Sequence, residues 1–246
     1  MQTLLYNRKS HVSARALATN LGLKPISDRK VDDLSSSPLV RYGSSKGSFS
    51  EDTDINSRSA ISLVSNSMKF SEFCFSNGFF SPIYRRFHIE DDIEFPFLLR
   101  DNYHHGGKDI VFVENKEQLE SIPFEDTYGK YYVPFYDTQY EIRIHWMFGD
   151  IIKLFVKRPI DSEKASFIRS SYKGWRYSLR EDIENKYTKA KEITHSLCAA
   201  LDIRFCAIDM AYSKERDQYI IWEVNSAPGL NLNTLKLYAE RLREYL

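Results

Sequence analysis

Hydrophobic and polar residues form short alternating blocks along the chain, and the first blocks predict a small α/β unit. An apolar run over Thr3–Tyr6 predicts a strand, and residues 13–21 have the spacing of a helix that ends at Gly22. A second strand is predicted over residues 39–43. The Ser/Gly/Asp-rich residues 43–56 have no hydrophobic period, which predicts a loop or linker. We place the first domain boundary in this segment.

The middle of the chain combines a helical period with strand-like runs. Apolar residues recur at helical spacing over residues 57–78, which predicts one helix or two in succession. Three strands are predicted at residues 95–100, 110–113 and 131–135, with a short helix between the last two. The mixture of strands and helices without a regular βαβ order indicates an α+β arrangement.

The last third of the chain predicts a hairpin, a long helix, a second strand pair and a closing helix. The Gly149-Asp150 step between two apolar β-prone runs is typical of a tight hairpin turn. In chain order the predicted elements are strands at residues 140–147 and 150–157, a helix at 180–201, strands at 205–212 and 219–224, and a helix at 234–246. This part is also predicted to be α+β.

Composition excludes some classes of function. Lys plus Arg number 34 and Asp plus Glu number 34, so no overall basic field favours non-specific binding to nucleic acid or membrane. Cys74, Cys198 and Cys206 lie in apolar surroundings without a metal-binding spacing, which favours reduced core residues in a cytoplasmic protein. The apolar run at the start is too short for a signal peptide, and no stretch is long enough to span a bilayer. We therefore expect a soluble, cytoplasmic protein.

Two acidic residues lie inside neighbouring hydrophobic strands. Asp209 follows Ile208, and Glu223 follows Trp222. A buried carboxylate is costly unless it is paired or coordinates a cation, and opposite positions on paired strands direct both acids to one face. With Asn225 they form an all-oxygen set that suits Mg²⁺, whose shell is normally completed by phosphates and water. The alternative is that each acid faces solvent on a half-exposed strand.

A second candidate cluster lies where the strand at residues 95–100 ends. Arg100 is followed by Gly106, Gly107 and Lys108 in a polar segment. A cation beside a Gly-Gly turn provides positive charge and exposed backbone N–H groups, as a phosphate-covering loop requires. The same residues also occur in ordinary surface turns, so both interpretations stay open.

The strand at residues 140–147 alternates charged and apolar side chains. Glu141, Arg143 and His145 are predicted on one face and the intervening apolar residues on the other. Arg143 with Lys157 and Arg158 either lines a phosphate or carboxylate pocket or belongs to a solvated sheet face. His145 is interpreted as a hydrogen-bonding residue rather than a metal ligand.

In chain order these pieces resemble the ATP-grasp superfamily over about residues 56–246. The most specific match is the ExNxxPG motif at residues 223–229, preceded by a strand with a central Asp. The resemblance implies that Asp209, Glu223 and Asn225 bind magnesium. The strand at residues 95–100 ends in Arg-Asp, whereas the family has Lys-Pro at this point.

The resemblance also implies roles for the remaining candidates. The catalytic residues are expected to be Arg143, Arg158 and Arg169. The residues expected to bind ATP are Lys69, Arg100, Gly106, Gly107, Lys108, Tyr132, Val133 and Lys157.

The fold implied by the resemblance is α+β, with two ATP-grasp subdomains clasping ATP. We expect a short α/β domain at residues 1–50, an N-terminal subdomain with the glycine-rich loop at 51–135, and a C-terminal subdomain with the metal site at 136–246. The first domain is shorter than in many family members.

The implied function is an ATP- and Mg²⁺-dependent carboxylate–amine ligase that forms a peptide bond through an acyl phosphate. Its substrates are small molecules or peptides, and a homodimer is compatible with the family. Two alternatives stay open, a kinase that phosphorylates a small molecule or protein and a non-catalytic ATP-binding module.

Overall fold

The computed structural model describes residues 2–33, 39–47, 54–88, 93–100, 110–162, 166, 168–169, 173–179 and 186–246. Within these ranges the strands form three sheets, and each sheet is built from a separate stretch of the chain. Inside the same ranges, no helix combines the length and apolar character needed to cross a membrane.

The first sheet consists of three parallel strands, β1 (Thr3–Tyr6), β2 (Lys24–Ser27) and β3 (Val40–Tyr42), in the order β2-β1-β3. Helix α1 (His11–Leu21) connects β1 to β2, and 3-10 helices lie at Arg8–Ser10 and at Asp28–Asp33, the latter with a kink at Lys30. The predicted first strand and the helix are confirmed. Strand β2 was not predicted because it contains a proline, which an edge strand tolerates.

The second sheet is antiparallel and follows the order β4-β7-β5-β6. Its strands are β4 (Arg85–Arg86), β5 (Phe97–Arg100), β6 (Val111–Val113) and β7 (Tyr131–Pro134), and the helices α4 (Lys116–Glu120) and α5 (Phe124–Thr127) lie between β6 and β7. An aromatic core that includes Phe87, Phe97 and Tyr132 supports the sheet. The three predicted strands are confirmed, whereas β4 consists of two exposed arginines and has no hydrophobic signal.

The third sheet is antiparallel, in the order β10-β9-β8-β11-β12, and it contains the candidate site. Its strands are β8 (Tyr140–Met147), β9 (Asp150–Pro159), β10 (Trp175–Leu179), β11 (Phe205–Ser213) and β12 (Gln218–Asn225). The predicted hairpin and strand pair are confirmed. Strand β10 is not among the predicted strands, and it forms by pairing with β9 along five residues.

Four further helices cover the sheets. Their bounds are α2 (Arg58–Val64), α3 (Ser67–Ser76), α6 (Thr188–Leu201) and α7 (Leu232–Arg243). Helices α2, α3 and α6 pack on the apolar face of the third sheet, where Ile142, Ile144 and Trp146 lie. Helix α7 shares a core with the first sheet and α1.

The prediction of a helix at residues 180–201 is wrong at its beginning, because α6 begins at Thr188. Tyr187 has φ −114° and ψ 23°, outside the helical range, and its ring packs edge-on against Tyr140. Residues 180–185 lie outside the described ranges.

A buried asparagine connects the first sheet to the third. Ile55 pairs with Val40 of β3, and the next residue, Asn56, is fully buried with φ 65°. Its Nδ2 donates to the Phe205 carbonyl at 2.9 Å, and its Oδ1 accepts from the N–H groups of Arg204 and Phe205 at 2.8 and 3.0 Å. Asn56 therefore fixes the beginning of β11, the strand that carries Asp209.

We expect Asn56→Ala to lower the free energy of unfolding by about 2–4 kcal/mol, since it leaves buried backbone groups at β11 without partners and strains a left-handed residue. Asn56→Gly keeps the backbone conformation and should lose less. Urea titration measures both values. Asn20→Ala removes an exposed side-chain hydrogen bond on α1 and should change the free energy by no more than about 0.5 kcal/mol. Equal losses for Asn56→Ala and Asn20→Ala would contradict this role.

Candidate active site

The two acids predicted to bind metal are direct cross-strand neighbours. Asp209 of β11 is in register with Glu223 of β12, and Ala207 is in register with Asn225. A bulge follows between Asp209 and Met210, so this register ends there. Asp209 is buried, whereas Glu223 is exposed. The predicted pairing of the two acids is confirmed.

Arg143 holds Asp209 in a bidentate ion pair. The two residues are in register on β8 and β11, and the Nε and Nη2 atoms of Arg143 donate to Oδ1 and Oδ2 of Asp209, each at 2.6 Å. Tyr177 of β10 donates its hydroxyl to the same Oδ1 at 3.2 Å, and its ring centroid lies 4.4 Å from the guanidinium carbon. Sequence analysis missed this pairing because it requires β11 to lie beside β8.

A second ion pair lies on the same face of the sheet. Lys157 of β9 donates to Glu141 of β8 at 2.7 Å, and its Nζ lies 5.5 Å from the Tyr177 ring centroid. The side chains of both residues are mostly buried. The predicted face with Glu141 and Arg143 is therefore real, and it bears Lys157 and Asp209 as well.

Burial and charge shift the carboxyl groups in different directions. Burial opposes ionisation of Asp209, but the adjacent Arg143, together with Lys157 and the Tyr177 hydroxyl, holds the pKa of its carboxyl below the ordinary value. Desolvation in the cleft and the negative charge of Asp209 raise the pKa of Glu223. Glu223 is exposed to solvent, and its cross-strand neighbour is the ionised Asp209. A cation bound between the two acids would relieve this repulsion.

Two of the predicted arginines lie apart from the paired acids. Arg158 is exposed on β9, and alternation directs it to the face opposite Lys157, so the strand does not bring it to the face that bears Arg143 and Lys157. Arg169 donates to the Thr138 hydroxyl at 2.9 Å and also to its carbonyl, and it stacks near Trp175. Its positive charge lowers the pKa of the Glu141 carboxyl, against the burial that raises it.

The candidate nucleotide contacts lie on the second sheet and helix α3. Arg100, at the end of β5, donates to the Tyr84 hydroxyl at 3.1 Å, and its charge lowers the pKa of Glu223 against the larger effects that raise it. Tyr132 and Val133 are buried in β7, and Lys69 is exposed near the beginning of α3. The predicted phosphate-loop residues Gly106, Gly107 and Lys108 lie outside the described ranges.

His145 is a satisfied core residue, as interpreted from the sequence. It is buried, and its Nδ1 lies 3.0 Å from the hydroxyl of Tyr238 on α7. Burial and the nearby charge of Arg143 lower its pKa to about 4, so the imidazole is neutral near pH 7. It therefore joins β8 to α7 without adding a charge to the site.

The loop after β12 is held by the first sheet. The Asn225 Oδ1 accepts from the Ala227 N–H at 2.9 Å. Tyr42 of β3 donates its hydroxyl to the Pro228 carbonyl, and the Ser13 hydroxyl of α1 accepts from the Leu230 N–H at 2.9 Å. Strand β3 and helix α1 thus position the loop that begins at Asn225.

We expect Gly43→Ala to disturb this loop. Gly43 has φ 72°, and an added Cβ would lie 2.5 Å from the Ala227 Cβ, closer than two carbon atoms can approach. The expected loss is about 2–4 kcal/mol in the free energy of unfolding, the sum of backbone strain and overpacking. Gly22→Ala is a matched control, because Gly22 has φ 69° with nothing within 4 Å and shows the strain alone. Urea titrations that give equal losses for the two variants would contradict the close packing.

The donor set at the paired acids fits magnesium. Mg²⁺ prefers carboxylate and amide oxygens, and it is normally held by one or two carboxylates with water and phosphate oxygens completing the shell. Asp209, Glu223 and Asn225 supply oxygens of this kind. In the described part of the chain, no group of three or more His, Cys, Asp or Glu side chains could hold a metal, so a site would depend on these two acids and the amide.

The architecture and the paired acids define an ATP-grasp fold, and comparisons with solved structures agree. The chain is similar to D-alanine–D-alanine ligase from Bacillus anthracis, with 12% identity, 100% of this chain and 92% of that chain covered, and a TM-score of 0.68. N5-carboxyaminoimidazole synthetase from Staphylococcus aureus, complexed with ADP, matches with 12% identity, coverages of 92% and 70%, and a TM-score of 0.67. L-amino acid ligase from Bacillus licheniformis matches with 14% identity, coverages of 99% and 74%, and a TM-score of 0.59.

No family model matches the chain, and no curated protein matches it by sequence. At 12–14% identity the structural likeness identifies the fold. This chain has the ATP-grasp fold, as the order of its motifs predicted.

Proposed function

We propose that this protein is a Mg²⁺- and ATP-dependent ligase that joins a carboxylate to an amine. The observation that carries the proposal is the register of Asp209 with Glu223, beside Asn225 and on the same face as Arg143 and Lys157. The solved structures similar to this chain include a D-alanine–D-alanine ligase and an L-amino acid ligase. The names of these two proteins support the proposed class of reaction.

The proposed reaction has two steps that balance. A carboxylate oxygen of one substrate attacks the γ-phosphorus of ATP, and the bond from that phosphorus to the bridging oxygen breaks, releasing ADP with the bonding electrons. The amine of the second substrate then attacks the acyl carbon, phosphate leaves with its bonding electrons, and the nitrogen loses one proton. No side-chain nucleophile takes part.

The residues of this chain supply position and charge. We propose that Arg143 and Lys157 stabilise the negative charge that develops on the transferred phosphoryl group, and that Arg169 contributes from the edge of the site. When bound to Asp209, Glu223 and Asn225, Mg²⁺ would neutralise phosphate charge. Arg158 is omitted because it lies on the other face of β9.

The nucleotide is proposed to lie between the second and third sheets. In this arrangement the backbone of Tyr132 and Val133 contacts adenine, while Arg100 and Lys69 contact phosphates, together with Gly106, Gly107 and Lys108. We retain the division into units at residues 1–50, 51–135 and 136–246 as a proposal. The three cysteines are buried free thiols, which is consistent with the proposed cytoplasmic location.

The test is to incubate the purified chain with Mg²⁺-ATP and sets of carboxylates and amines while ADP release is measured. Hydroxylamine is added in place of the amine, because it converts an acyl phosphate into a hydroxamate that can be detected. Hydroxamate formation that depends on both ATP and carboxylate is the expected result. ADP release with a stable phosphoester product would instead indicate a kinase, and ATP binding without turnover on any pair would indicate a binding module; either result would overturn the ligase proposal.

A further inference from the structure

An open cavity of about 820 Å³ lies in the first domain, at the end of β1 where the chain enters α1. Its lining residues are Tyr6, Arg8, Lys9, His11 and Arg15. Tyr6 is buried, whereas the four basic side chains are exposed. Among the described residues, no acidic side chain lines the cavity.

This concentration of positive charge is local. The whole chain has 34 basic and 34 acidic residues, excluding histidine, yet three arginine or lysine side chains and a histidine line one cavity. Arg15 is oriented by its Nε, which donates to the Tyr6 hydroxyl at 3.3 Å. The other nitrogens of its planar guanidinium can bind an anionic oxygen pair. Four basic groups within eight residues are too few for a nucleic-acid track but match one multiply charged group.

The segment that contains the lining residues also contacts the loop that follows the paired acids. Asn7, between the lining residues Tyr6 and Arg8, has its Nδ2 3.7 Å from the position of a Cβ on Gly43, and the same position is 2.5 Å from the Ala227 Cβ. Ser13, between His11 and Arg15, accepts from the Leu230 N–H. Ser13 itself does not line the cavity, so α1 contacts the loop at residues 226–230 through a residue other than the lining ones.

We propose that this cavity binds the anionic end of an acidic substrate, a carboxylate or phosphate group. The inference rests on the proposed ligase function for the identity of the bound molecule as a substrate. It assigns the binding to Arg8, Lys9, His11 and Arg15. Neutral and cationic substrates would lack this contact.

The test uses the full chain and two probes, glutarate as a dicarboxylate and inorganic phosphate, each titrated calorimetrically without ATP. The expected result is saturable binding of at least one probe, and the stronger of the two identifies the type of anion. Arg8→Gln with Arg15→Gln should weaken it by about tenfold or more, since two charged contacts are lost. Because Arg15 also contacts Tyr6, Arg8→Gln with Lys9→Gln is a second variant that leaves this contact intact.

Lys24→Gln with Lys116→Gln is the matched control. It removes the same charge from exposed positions, at the opposite end of the first sheet and on α4. Binding within about twofold of the wild type is expected for this variant. Absence of saturable binding of both probes, or equal weakening in the control and cavity variants, would overturn the proposal.

A separate titration of Mg²⁺-ATP into the wild-type chain distinguishes the two proposals. Anion binding without nucleotide binding would contradict the ligase function and leave the cavity as an anion site. Nucleotide binding with no anion binding would contradict only the cavity.

Discussion

Asp209→Asn combined with Glu223→Gln should reduce ATP-dependent ADP release by roughly 10³-fold or more, on the scale expected when charge stabilisation of a phosphoryl transfer is removed. The two acids are cross-strand neighbours, and each change keeps the shape of the side chain while removing its negative charge. The loss should appear in ADP release and in Mg²⁺-dependent nucleotide binding measured by calorimetry.

The control for this prediction is a double variant in the turn of the same hairpin. Glu215→Gln with Asp217→Asn removes two carboxylates from the turn between β11 and β12, and Asn tolerates the positive φ of 45° at position 217. Its ADP release should stay within about twofold of the wild type, because surface changes far from a site have small effects. Full turnover by the Asp209 and Glu223 double variant would refute the assignment of these acids.

Arg143→Met should lower the free energy of unfolding by about 2–4 kcal/mol, because it leaves the mostly buried Asp209 carboxylate without its bidentate partner. The same change should reduce ADP release by roughly 10²-fold or more if Arg143 stabilises the transferred phosphoryl group. Urea titration and the ADP assay measure the two effects independently.

A double-variant cycle separates the ion pair from other contacts of Arg143. Arg143→Met with Asp209→Leu removes both charges, so it should be less destabilised than Arg143→Met alone. An additive result, with the double variant as unstable as the sum of the two single variants, would show that the hydrogen bonds between the two side chains contribute nothing to stability.

Much of the fold could be predicted from the sequence because its longer elements have clear periods. The hairpin of β8 and β9 follows from alternation around Gly149. The pairing of β11 with β12 follows from the short polar turn between them, but the turn alone would place Asp209 opposite Trp222, and the bulge after Asp209 brings it into register with Glu223. The order of such motifs carries the resemblance to the ATP-grasp superfamily, and that resemblance predicted the architecture.

The parts that sequence analysis missed depend on contacts between distant segments. The ion pair of Arg143 with Asp209 joins residues 66 positions apart, through a strand order that no local pattern reveals. Strand β10 forms because β9 provides an edge with which it can pair. Alternation alone could have separated Arg158 from Lys157, since adjacent residues of a strand point to opposite faces.

The two ends of the chain share one hydrophobic core, so neither end is expected to fold without the other. Tyr238 and Leu242 of the closing helix pack with Leu4 and Leu17, so the first residues cover apolar surface that belongs to the last ones. A fragment starting at residue 56 would expose that surface to water and would tend to aggregate. Separately expressed halves would therefore be expected to recover a native core only when mixed. The first residues of the chain thus stabilise the closing helix and do not form an independently folding unit.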